Sequence, residues 1–175
     1  MIASSPFFLV FRFLHIITGA LWFGSAFLFA LFIGPAAAKV GPASVPMMHV
    51  AVKERRVPQV ITGLAITSVT VGWIMWLYHA NQLGLSVWWD YTEAKVLLLG
   101  GLLATVAMFE GWHGIGNNVE KLVDLGDGVV ASGAPPTPEQ MAETQRRGAA
   151  IERASKIDLL LLFLAVACMA TARYW

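Results

Sequence analysis

The chain has 175 residues, of which 57% are hydrophobic and 13% charged, and its mean hydropathy is +0.65. That balance is the balance of one integral membrane domain and excludes an ordinary soluble core. A formal net charge of +1 gives no electrostatic basis for a nucleic-acid partner, and one cysteine, Cys168 in an apolar run, excludes a disulfide framework or a thiolate metal centre.

The N-terminus, MIASSPFF, lacks a basic n-region, and no small-residue cleavage site closes a short apolar segment. Residues 7–33 are therefore expected to be a retained span and not a cleaved signal peptide. Within them, FRFLHIITGALWFGSAFLFALFIG is long enough for a bilayer, which takes about 20 residues. Arg12 and His15 are the ionisable groups inside this run, and Thr18, Gly19, Trp22, Ser25 and Ala26 follow on the same helical face. Ionisable side chains at membrane depth are costly and mark cofactor, ion or substrate sites.

Further spans are expected at about 57–79, 93–114 and 157–174. The first connection ends in Lys53, Arg55 and Arg56, the third carries Lys121, Arg146, Arg147, Arg153 and Lys156, and the second has none. Because Lys and Arg accumulate on the cytoplasmic side, both termini are expected to be periplasmic in a bacterial inner membrane. Trp88, Trp89 and Tyr91 suit an interfacial aromatic belt there. The fold class is thus all-α, a four-helix integral membrane bundle with a helical extension at about 138–153. GDGVVASGAPP before that helix reads as loop, and Thr137-Pro138-Glu139-Gln140 as a capping box.

Span two carries a stripe of Ala65, Ser68, Gly72, Trp76 and His79, and small residues let helices approach closely in lipid. His15 and His79 fall in the same leaflet, His113 at the opposite end, and His49 in the first connection. Two histidines on facing helices at similar depth are the ligand set of a membrane haem b. On that reading Arg12, Lys95 and Arg173 lie near the propionates, and Trp22, Trp73 and Trp76 line the macrocycle. The alternative for His15 is a hydrogen bond to a neighbouring span, and for His79 a position among headgroups. Met75 and Met108 are possible sulfur ligands or simple packing residues. Glu110 and His113, at i, i+3, either deliver protons to a quinone or form an interfacial hydrogen bond. The same spacing occurs in di-iron bundles, but the second copy and further carboxylates are lacking. Asp158 is expected to pair with Arg153, Lys156 or a neighbouring span.

The first span resembles that of the N-terminal membrane domain of the bacterial membrane-bound urate oxidase family, through Arg12, Leu14, His15, Gly19, Trp22 and Gly24. RRGAAIERASKIDLLLLFLAVACMA is similar to that family's last span at Ala154, Ser155 and Lys156; Asp158 replaces the usual Asn and the family's proline is absent. More weakly, the span-one histidine looks like that of copper-resistance D and HemJ-type four-helix proteins. The resemblance implies haem-linked membrane redox chemistry but does not transfer urate as substrate. In that family a c-type cytochrome follows. Here no C-x-x-C-H occurs, so an electron partner in trans is expected.

The leading expectation is a haem b electron-transfer protein linking the quinol pool to a periplasmic cytochrome c or other redox subunit, within a hetero-oligomer. His15 and His79 are then iron ligands, and Arg12, Lys95, Trp22 and Trp76 complete the cofactor site. The alternatives are a non-redox membrane anchor or assembly subunit, and a small oxidase acting on a porphyrin.

Overall fold

The computed structural model describes residues 6–174. The N-terminal residues read above for the absence of a basic n-region lie partly outside the described residues, as does Trp175. Among the described residues there is no strand.

The chain runs as α1 (Pro6–Leu28), a π turn (Phe29–Ile33), α2 (Gly34–Val40), a 3₁₀ turn (Gly41–Ser44), α3 (Val45–His49) and a second π turn (Val50–Glu54). It continues through α4 (Val57–Leu83), α5 (Leu85–Asp90), α6 (Thr92–Glu110), a third π turn (Gly111–Gly116), α7 (Asn117–Ser132), α8 (Pro138–Thr171) and a last 3₁₀ turn (Ala172–Tyr174). Four helical rods, Pro6–Glu54, Val57–Leu83, Thr92–Ser132 and Pro138–Tyr174, are each long and apolar enough to cross a membrane.

These rods close a four-helix bundle in which α1 packs on α4, α4 on α6, α6 on α8 and α8 on α1. At its centre Trp22, Ala65, Val69, Ala107 and Leu162 form one buried cluster to which every rod contributes. Outside it the surface is apolar: Phe13, Leu21, Val60, Leu77, Val106, Leu160 and Phe163 are all exposed. Such a surface on a bundle of this kind is covered by lipid or by another apolar partner.

Small residues set the seams. A Cβ on Gly100 would stand 3.0 Å from Cys168 Cβ and 3.3 Å from the Ala165 carbonyl oxygen, so α6 and α8 meet there almost backbone to backbone. The neighbouring Gly101 faces the other way, onto Trp73 of α4. Gly100-Gly101 thus serves two seams at once, and α6 runs through it as an uninterrupted helix. Trp73 Nε1 donates to Thr105 Oγ1 at 3.1 Å and Trp76 Nε1 to the Ala94 carbonyl at 3.0 Å, tying α4 to α6.

The connections are more helical than the sequence suggests. Gly126, Asp127 and Gly128 lie within α7, where a Cβ on Gly126 would meet Val45 Cγ2 at 3.1 Å, so close packing against α3 keeps this glycine in a helix. The loop shrinks to residues 133–137, entered through Gly133 at φ 62. Gly41, at φ 67, turns the chain after α2. Around this basic end Lys53 pairs with Asp124 at 2.6 Å, His49 with Asp127 at 2.7 Å, and Gln59 with Glu120 at 2.7 Å. The hydrogen bond to the Asp124 carboxylate raises the Lys53 pKa above its usual value. The capping box forms in full: Thr137 N–H donates to Gln140 Oε1 at 2.8 Å and Gln140 N–H to Thr137 Oγ1 at 3.2 Å.

Candidate functional site

The histidines sit on the α1–α4 seam, whose register follows from its contacts. Phe8 lies against His79, with ring centroids 4.9 Å apart. Two turns further along α1, the His15 ring lies against Gly72, where a Cβ would be 2.9 Å from Cε1. A turn beyond, a Cβ on Gly19 would touch Ser68 Oγ at 3.0 Å, and Trp22 then joins Ala65 in the core. The helices are therefore antiparallel, and each heptad step on α1 meets a heptad step on α4. His15 and His79 are both on this seam but seven residues apart along it, about 10 Å at 1.5 Å per residue.

His15 Nδ1 lies 2.8 Å from the Ser68 carbonyl oxygen. A carbonyl can only accept, so Nδ1 carries a proton, and in the neutral imidazole Nε2 then keeps the lone pair. Ser68 Oγ returns a longer bond to the His15 carbonyl at 3.4 Å. His15, Ser68 and Gly72 together make a two-way polar clasp between α1 and α4, with the glycine giving the ring its space. His79 Nδ1 likewise donates within its own helix, to the Met75 carbonyl at 3.2 Å. Its ring lies among Phe8, Tyr78 and Trp88.

Two axial ligands of one haem iron must face each other across the metal at one depth. The antiparallel register puts His15 opposite Gly72 and His79 opposite Phe8, so this packing does not fit one iron shared by the two rings. The residue chemistry fits a haem only ring by ring. Each imidazole donates Nδ1–H to a carbonyl, the usual support of a ligating histidine, and each retains an Nε2 lone pair.

The remaining expected site residues are dispersed. Trp22 is in the central core, and Trp76 is spent on its bond to Ala94 and on edge contacts with Trp73 and Trp88. Arg12 is exposed. Lys95 Nζ lies 6.0 Å from the Trp89 ring, and Arg173 lies over Tyr174 at 4.7 Å. Of the expected aromatic belt, Trp89 and Tyr91 are exposed, whereas Trp88 is buried with Ala80 and Ala94. Among the described residues its Nε1–H finds no acceptor.

At the basic end the third π turn separates Glu110 from His113. His113 is exposed and stacks on Trp112 at 5.2 Å, whereas the Glu110 carboxylate turns inward onto Gly114. The five-residue hydrogen-bond spacing of a π turn moves i and i+3 off a common face, so the expected pair does not form. Asp158 is 3% exposed and is not ion-paired with Arg153 or Lys156, because Lys156 bonds Glu152 one turn back at 2.6 Å.

Comparison with protein-family models, characterised proteins and solved structures finds no match to this chain.

Proposed function

We propose that this chain is a multi-pass membrane subunit that anchors and stabilises a larger assembly, with His15 as an interhelical fastening residue. The observation that carries this reading is the 2.8 Å bond from His15 Nδ1 to the Ser68 carbonyl, with the ring seated on Gly72. A polar ring at membrane depth in span one is thereby used in packing. The apolar faces left exposed on all four rods supply area for lipid and for a partner's membrane helices. The charge bias of the connections supports an orientation in a bacterial inner membrane with the aromatic end and both termini periplasmic.

A second reading, haem-linked electron transfer between the quinol pool and a periplasmic cytochrome c, is favoured by one specific observation. Both imidazoles direct Nδ1–H to a carbonyl and keep Nε2 as a lone pair for a metal. A haem would supply one-electron chemistry there. This chain's part would be to hold the imidazole orientation and exclude water.

Optical spectra of the protein purified from membranes, made with ample haem, separate the readings. The anchoring role predicts a colourless protein that co-purifies with a partner, and a lower Tm in His15→Ala. Sharp reduced α and Soret bands lost in His15→Ala or His79→Ala would replace it with the redox role and name the ligand. Turnover of added porphyrinogen would instead identify a porphyrin-acting oxidase.

A further inference from the structure

A different pair of side chains, at the basic end, carries a site of its own. Asp158 lies on the face of α8 that packs against α6 and the third π turn, and its Oδ1 has no hydrogen-bond partner. That oxygen is aimed at the turn: a Cβ on Gly111 would stand 3.7 Å from it. Glu110, the residue before Gly111, folds its carboxylate back onto the same turn. A Cβ on Gly114 would lie 2.6 Å from Glu110 Oε1 and 3.2 Å from Ala154 Cβ, and Ala154 is one turn before Asp158 on α8. Two carboxyl groups therefore enter one narrow seam, and two glycines of a π turn make the room. π turns inside long helices recur at functional sites because they re-aim side chains and loosen the backbone ladder.

Among the described residues, neither Asp158 nor Glu110 is ion-paired. From α6, the charged group that faces the turn is Glu110. From the π turn, His113 is directed outward onto Trp112. From α7, Asn118 is held by Arg147, which is itself paired with Glu143. On α8, Lys156 is taken by Glu152 and Arg153 is exposed. From α1 the face toward α8 presents Phe23 and Phe27. Two carboxylates that face one such turn are costly to charge together without a cation or a proton.

We propose that Glu110 and Asp158 form a proton-binding carboxyl pair that holds one proton at neutral pH and exchanges it with the basic end. Asp158 is buried, and half-buried Glu110 is its route to solvent. The bound proton supplies the O–H that a lone pair of carboxylates lacks and leaves one negative charge in the seam.

Infrared difference spectra of the full chain in lipid nanodiscs, titrated with acid and base, test this directly. The wild type is expected to show a protonated-carboxyl C=O band at neutral pH that shifts in D₂O and is lost in Asp158→Asn. In Glu110→Gln, which keeps Asp158 and tolerates its fold, the band's midpoint is expected to move to lower pH. A wild type with no such band at neutral pH overturns the proposal, as does a band unchanged in Glu110→Gln. A band abolished by sodium chloride but not by choline chloride would make the ligand a metal cation and likewise overturn it.

Discussion

At the scale of single residues, the clasp at His15 depends as much on the absence of a side chain as on the histidine. Gly72→Ala puts a methyl 2.9 Å from Cε1 of a ring backed by its own helix, so the ring must leave and the Ser68 carbonyl loses its donor. The expected cost is about 1–3 kcal/mol, the penalty for an unmade bond away from water. In a His15→Ala background the same change should cost far less, and denaturation of the four variants in detergent measures the coupling. Additive losses would mean that glycine and histidine act separately. A titrating contact at this scale is Glu143, whose carboxylate is held below its usual 4.5 chiefly by the Arg146 hydrogen bond, with Arg147 also contributing. A carboxylate lowered in the folded state stabilises above its unfolded value, and that contribution fades as pH falls through the folded one. The Tm difference between wild type and Glu143→Gln should thus be present at neutral pH and vanish well below pH 4.5.

At the scale of elements, helix ends and seams carry the specificity. Thr137→Ala removes half of the reciprocal cap on α8 and is expected to cost about 1 kcal/mol. Hydrogen exchange should accelerate in the first turn of α8 and leave the residues around Leu162 unchanged. The α6–α8 seam is less forgiving. Gly100→Val drives a branched side chain toward Cys168 and the Ala165 carbonyl, and the latter is backbone that cannot rotate away. Overpacking of this kind typically costs about 1–3 kcal/mol. A Gly101→Val change meets only the Trp73 ring, first at 3.4 Å, so its effect on Tm should be the smaller of the two.

At the scale of the whole molecule, the decisive feature is an apolar girdle around a small core. Leu160→Arg sets a charge on the exposed face of α8, where insertion costs about 2.5–3.5 kcal/mol near a span's centre and less toward its end. A reduced membrane-integrated fraction, with the charge-conserving Arg153→Lys at an exposed position left neutral, checks that the girdle faces lipid. The residue pattern by itself determined the all-α class and the four apolar rods, because hydropathy and length are properties of each segment alone. It also determined the cap at Thr137, since N-cap, proline and glutamine act within one turn. The tertiary structure decided what no single segment contains. His15 and His79 share a leaflet in a count of residues, but antiparallel packing sets Gly72 against one and Phe8 against the other. Trp22 reads as a cofactor wall and lies in the core, because Ala65 and Ala107 leave the space it fills. Trp88 leaves the belt for the same reason, beside Ala80 and Ala94. Asp158 had cations near it in sequence, yet Lys156 reaches Glu152 on its own helix and leaves the carboxylate facing Glu110's turn. Periodicity assigns a residue to a face; only the register between helices, fixed by where glycine and alanine allow close approach, assigns it a neighbour.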